Sequence, residues 1–434
     1  MGSILTRLWG NQTVGQVTAV PDRPVVLDAW DYHTVWANSA AIERAGLDRG
    51  IPALKCGKVP LRADGRPLGT FQEWDAIDLI RSRIPAVTPS EMANRIDYAA
   101  QVYARAGVTW IQDAWVDEDT LEGYFLWAGR DPRCRINLAF RADPRQWHSQ
   151  LDRFALHRAC VNDLKSPFLT ARTVKFFIDG IIENRTAMML DSYCDADDAY
   201  GLPVWDREEL FEALAAFDRL GFQVHLHAIG DAANRTALDG IEYVIGENGV
   251  RDRRPVIAHA HVIHPRDLPR FAELGVIANF QPYWAQIDRS MTDFVIPGLG
   301  PERAEWQLLI GRMMQSGAVV SFGSDWPVTD EHPIEGLATA VNRRSGADAP
   351  TLLPEERIHP ATHCLHTPQP SPTRPFTSRT AALSASAWMQ TSSGFPPTRV
   401  IRHPPNSQKF RCVAPGSSDA ARIRTHREPL GNKI

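Results

Sequence analysis

Gln223–His227 (QVHLH), Pro255–His259 (PVIAH) and Val319–Asp325 (VVSFGSD) decide the fold. Each is a short apolar, β-branched run that ends in a side chain able to ligate a metal. Four more runs of the same kind surround them: Val108–Asp113 (VTWIQD), Arg135–Phe140 (RINLAF), Val174–Asp179 (VKFFID) and Val276–Gln281 (VIANFQ). Helical patterns such as Arg207–Leu220 and Pro265–Leu274 lie between most of them. Strand–helix alternation at this spacing reads as parallel βα units. The expected class is α/β, a (β/α)8 TIM-type barrel with seven of its strands visible. An open doubly wound sheet is the alternative. It wants a Gly-rich turn after its first strand, and no GxGxxG occurs.

The composition agrees with a globular chain: 434 residues, 44% hydrophobic and 23% charged. Mean hydropathy is -0.27, and no apolar run approaches the roughly twenty residues of a membrane span. Met1–Gly15 has no apolar core and no small-residue cleavage site, so no signal peptide is expected there. The charge is unevenly spread. Up to Arg357 there are 37 Lys+Arg against 49 Asp+Glu, a net of -12; beyond it there are 10 against 2, a net of +8. So acidic a body has no electrostatic reason to bind nucleic acid or an anionic membrane. The six cysteines form no CxxC and no tight framework, which fits a reducing, cytoplasmic setting.

Two regions stand apart from the strand–helix rhythm. Residues 1–105 hold helical stretches, Trp36–Ala45 and Pro89–Arg105, and a Pro/Gly-rich connector, Gly50–Gly69, and read as an insertion on a barrel loop. Residues 358–434 carry eleven Pro, two acidic residues and no hydrophobic period, so the barrel is expected over 1–357, followed by a disordered or aberrant tail. Trp and Met have single codons, so Trp388–Ser392 begins TGGATG and can be written TGGATGCARACNTCN. Shifted by one base, the same nucleotides can spell Val-Asp-Ala-Asp-Phe, an alternating stretch suited to a strand end. A frameshifted or misjoined tail is one expectation and a natural disordered tail is the other; that the +8 tail recruits an acidic partner is a third reading.

In a parallel barrel the C-terminal strand ends converge on one face. His225 and His227 share a strand face by period two, and His259 and His261 repeat the HxH spacing on the next strand. A lone strand histidine is more often structural; two HxH pairs on successive strands favour a metal. Asp325 reads either as an N-cap for a following helix or as a carboxylate that ligates a metal and takes a proton from its water. Lys175 is a cation inside an apolar run, costly unless paired with Asp179 or Asp325, or unless its neutral amine takes up CO2 as a carbamate ligand.

These residues carry a resemblance. Asp179-Gly180 with Glu183 and Arg185-Thr186-Ala187, His227-Ala228-Ile229-Gly230-Asp231, Ala258-His259-Ala260 and Phe322-Gly323-Ser324-Asp325-Trp326-Pro327-Val328 resemble the amidohydrolase 3 family, which includes N-substituted formamide deformylases. Asp31-Tyr32-His33 with Trp36-Ala37-Asn38-Ser39, and Ala106-Gly107-Val108-Thr109 followed by Gln112-Asp113-Ala114, resemble the same family. The resemblance runs in order from about Arg23 to Arg357. It implies a (β/α)8 barrel with a small β-sandwich and one or two divalent metals, zinc first among them. His227, His259 and Asp325 would be metal ligands, with Lys175 a fourth, carboxylated in binuclear relatives. His33 and Arg185 would line the substrate pocket. The implied reaction is hydrolysis of a small-molecule amide or formamide by a metal-activated hydroxide, with Asp325 shuttling the proton.

The chain departs from the family pattern in two places. No HxH of a first barrel strand precedes Val108, and no Gly-x-x-Ala-Asp strand returns at the end unless the shifted frame is read. The expectation is therefore an incomplete barrel lacking its first strand and the sandwich. The competing reading is a catalytically inactive remnant or the product of an incomplete gene model.

Overall fold

The computed structural model describes residues 21–359; the expected tail lies outside the described residues apart from Ile358 and His359. Ten strands occur in two sheets. A small antiparallel sheet joins β1 (Val26–Asp28), β2 (Thr34–Ala37) and β3 (Thr70–Gln72). The large sheet holds β4 (Trp110–Val116), β5 (Arg135–Arg141), β6 (Leu169–Phe177), β7 (Gln223–Ala228), β8 (Val256–His259), β9 (Ile277–Phe280) and β10 (Val319–Phe322). Its strands are parallel throughout and follow chain order from β4 to β10.

Sequential parallel pairing needs a crossover after each strand, and helices supply most of them. Three helices of the chain have legible starts. Pro89–Arg105 follows a capping box in which Thr88 and Glu91 satisfy each other's backbone N–H groups. Arg207–Arg219 is capped by the Asp206 carboxylate. Asn38 caps Ser39–Ala45 through its Oδ1, which accepts from Ala41 N at 3.0 Å and also from Val25 N at 3.0 Å. That double use of Asn38 explains a difference from the sequence reading. Trp36 and Ala37 belong to β2, and the helix begins only after the cap. Similarly Pro265–Leu274 is helical only over Leu268–Glu273, and the strand expected at Val108–Asp113 is shifted to Trp110–Val116.

The main core lies between the large sheet and its helices. Phe140 on β5, Phe154, Phe176 on β6, Phe217 and Phe222 are buried in a chain of ring contacts 5.0 to 6.2 Å apart. Each such ring contributes about 1.5–3 kcal/mol relative to leaving it in water. The small sheet has its own core, in which Val35, Phe71, Ile42, Ile77 and Ile80 pack together. Residues 26–81 are thus a packed unit rather than a loop of isolated helices. Among the described residues no helix is long and apolar enough to cross a membrane. The large sheet curls around a cavity lined by residues of all seven of its strands, and its edges are β4 and β10.

Candidate metal centre and active site

The register of the large sheet sets the site. Lys175 on β6 lies beside His225, Phe177 beside His227, and Ala228 on β7 beside His259. His225 and His227 line the cavity while Leu226 between them does not, as the pleat requires. On β8 the same alternation turns Val256 and Ala258 inward and would turn His259 away. The backbone breaks it: His259 and Ala260 both take positive φ, 73° and 44°. Both His259 and His261 then line the cavity. Their shared orientation comes from this left-handed step and not, as expected, from strand alternation. Tyr32, Glu73 and Asp325 have φ of 61°, 60° and 55°, and Tyr32 and Asp325 line the same cavity. Such conformations cost about 1–3 kcal/mol each and concentrate where a site needs them.

The four histidines are buried and uncharged. Burial holds His225, His227 and His259 well below the ordinary imidazole value, helped by neighbouring cationic groups, and lowers His261 to about 4. Hydrogen bonds settle the tautomers of His227 and His259. Gln281 Nε2 donates to Asn279 Oδ1 at 3.0 Å and Asn279 Nδ2 donates to Ser321 Oγ at 2.9 Å, which leaves Gln281 Oε1 to accept from His259 Nδ1 at 2.8 Å. His227 donates from Nε2 to the Gly180 carbonyl at 3.2 Å. His259 therefore keeps a lone pair on Nε2 and His227 keeps one on Nδ1, and the two rings stand 4.5 Å apart. His225 Nε2 is buried with no hydrogen-bond partner.

Lys175 is 3% exposed, with its Nζ 4.9 Å from the centre of the Phe177 ring. Burial lowers its amine to about 8, against a weaker upward pull from Asp325. Asp179, one of its expected partners, is used elsewhere: it accepts backbone N–H bonds from Met188, Ile229 and Gly230. Asp325 lies at the end of β10, and burial raises its carboxyl while Lys175 and His33 pull it down.

This donor set fits a divalent cation. Neutral imidazoles with free lone pairs, a carboxyl and a weakly basic amine face one space, and His227 and His259 are each held by a hydrogen bond from one ring nitrogen. His227, His259 and Asp325 do not bring one ligand atom each within 4.8 Å of one another; among the described residues the group that does so is Asp330, Glu331 and His332, on the exposed rim.

His33 is brought to the same place from the small sheet. Its ring lies 5.2 Å from that of His227 and 5.0 Å from that of Trp74, and its Nδ1 is 2.8 Å from Glu73 Oε2. Burial would lower its pKa, but Glu73, with Asp31 and Asp325, outweighs burial and raises it. Asp31, two residues earlier, is raised to about 6 by burial. Arg185, expected to line the pocket, does not. Its guanidinium pairs with Asp195 and donates to the Phe294 carbonyl at 3.1 Å, so it braces the loop behind the cavity. Glu73 and Gln281 were not singled out in the sequence, because a carboxylate or amide in an irregular segment has no period to betray it.

The cavity has a volume of about 1720 Å³. Its walls include Trp74, Tyr103, Trp115, Phe177, Trp284 and Trp326, so it is aromatic around a polar floor. The Trp284 ring stacks on His259 at 5.2 Å and 9°.

Comparison with known proteins bears on the fold and the family. The chain is 31% identical over 351 residues to the Arabidopsis thaliana protein LONG AFTER FAR-RED 3, a match covering 78% of this chain and 58% of that one. It is 23% identical to the N-substituted formamide deformylase of Arthrobacter pascens, over 78% of this chain and 62% of the relative. The chain thus spans about three fifths of the length of these curated relatives. Crystal structures of metal-dependent hydrolases from Pyrococcus furiosus and Pyrococcus horikoshii share the fold, with TM-scores of 0.60 and 0.61 at 24% identity. Each match covers 79% of this chain, and 66% and 64% of those chains. A family model described as the amidohydrolase family matches residues 11–372, and the chain belongs to that family.

Proposed function

We propose that residues 1–357 form the barrel of a metal-dependent hydrolase that cleaves carbon–nitrogen bonds other than peptide bonds, of amide or formamide type, in a small molecule. The observation that carries this reading is the set of neutral, buried imidazoles facing one cavity with Lys175 and Asp325. His227 and His259 would hold a divalent ion, zinc first, with Asp325 beside them. Lys175 joins them if its neutral amine adds CO2, giving a carbamate and releasing one proton. A bound ion supplies Lewis acidity toward a carbonyl oxygen and makes a water more acidic. Asp325 is the group that takes up a proton and returns it to the leaving nitrogen. Its burial keeps that proton in the cavity rather than in bulk water. His33 and the aromatic wall hold the substrate, and a cytoplasmic setting belongs to the same reading.

The relative from Arthrobacter pascens is named for N-substituted formamides, which therefore lead the test panel. The purified chain, stripped and reloaded with zinc, is expected to retain metal and to release formate or carboxylate from the panel, and His259→Ala to lose both. Failure to retain zinc, together with absence of turnover, would instead support an inactive remnant.

A further inference from the structure

We propose that Glu73 is the positioning residue of this site: its carboxylate, anchored by Thr186, accepts the Nδ1–H of His33 and holds that imidazole with Nε2 turned to the substrate beside His227. The inference rests on the reading of the cavity as a hydrolase site and adds to it a residue from outside the barrel.

Glu73 is 1% exposed, and both of its carboxylate oxygens are occupied. Oε2 is 2.8 Å from His33 Nδ1, and Oε1 accepts from the Thr186 hydroxyl at 2.6 Å. No Lys or Arg pairs with it among the described residues, so the carboxylate faces an imidazole and a hydroxyl alone. A buried carboxylate is costly unless its hydrogen bonds are good, so it persists where it holds something in place.

The surroundings are shaped for this contact. The backbone at Glu73 has φ of 60°, and its N–H donates to the His33 carbonyl at 3.0 Å, so the two residues are tied twice. Gly180 passes so close that a Cβ there would overlap both Thr186 Oγ1 and Glu73 Oε1. Three separate segments therefore converge on one carboxylate: the turn before β2, the start of the helix Trp74–Arg81, and the loop after β6.

An acceptor on Nδ1 leaves Nε2 as the ring nitrogen available to a ligand. In the neutral ring Nδ1 carries the proton and Nε2 accepts a hydrogen bond, for which the matching donor on a secondary amide or N-substituted formamide is its N–H. The expected role is to orient the scissile nitrogen toward Asp325.

The test compares His33→Ala, Glu73→Gln and the double substitution in the full chain. The substrate is N-benzylformamide with the zinc-loaded protein. Glu73→Gln is expected to lower kcat/KM about tenfold to a hundredfold, the usual cost of losing such a supporting partner. In the His33→Ala background the same change is expected to cost nothing, since Glu73 acts through His33. Equal costs in both backgrounds would overturn the proposal.

A second readout does not need turnover. In the ¹⁵N spectrum of histidine-labelled protein, recorded at a pH where the ring is neutral, the wild-type His33 ring is expected as the Nδ1–H form, and Glu73→Gln to shift it toward a tautomer mixture. An unchanged His33 spectrum would also overturn the proposal, whereas a shifted spectrum without hydrolysis of any amide would count against the hydrolase reading alone. If Glu73→Gln does not fold, Thr186→Val removes the anchoring hydroxyl at similar volume and is expected to move the His33 signal in the same direction; no movement would count as refutation.

Discussion

At the scale of single residues, the site depends on amides and carbonyls that orient histidines as much as on the histidines. Gln281 shows this most directly, because its orientation is set by Asn279 and Ser321 and in turn sets the proton on His259. Gln281→Leu is expected to weaken zinc binding about 10- to 100-fold, with little change in melting temperature. Competition against a chromophoric chelator measures this, and an unchanged affinity would refute the role given to Gln281. The histidines, Lys175 and Asp325 were legible in the sequence, because each ends or interrupts an apolar strand. Their supporting groups were not. Glu73 sits in an irregular segment, and the left-handed step at His259 and Ala260 occurs without a glycine to mark it. Arg185 was misplaced for a related reason: a motif gives an arginine's neighbours in sequence but not the direction of its long side chain.

At the scale of elements, strands of the large sheet were legible and strands of the small one were not. Runs of four to nine residues carry a β-branched signal, whereas β1 and β3 are three residues long, and β3 is held by a partner more than thirty residues away in sequence. Helix packing also depends on partners that periodicity does not reveal. Asp239, on the helix Asp231–Asn248, accepts from Arg207 at 2.7 Å and from Arg270 at 2.7 Å, joining three helices behind the sheet. Burial would raise its carboxyl, but the two arginines outweigh burial and hold it below the usual value. Its folded pKa is thus depressed. The stabilisation is complete above the unfolded carboxylate value and is lost as pH falls through the folded one. Asp239→Asn should cost about 1 kcal/mol at pH 7, and that difference should be smaller at pH 3. Urea midpoints of both proteins at the two pH values provide the check, and a difference independent of pH would contradict it.

At the scale of the whole molecule, the large sheet of the described residues has two edges, and this has consequences for solution behaviour. β4 and β10 each present one side with no neighbouring strand, while the cavity between them is lined by Val108, Trp110, Ile111, Tyr103 and Phe322. Tyr98 at 64% exposure and Ile334 at 56% add apolar surface on the flanking helices. Unpaired strand edges beside an apolar seam recruit other strands, and natural sheets normally blunt them with charge, proline or a covering element. Here the seam carries aromatic side chains instead. The 434-residue chain is therefore expected to associate in a concentration-dependent way, seen as a rising weight-average mass in analytical ultracentrifugation. Replacing Ile111 on the edge strand by Lys should lower that mass, because a charge on an edge opposes pairing. A chain that stays monomeric across the concentration range would refute this expectation.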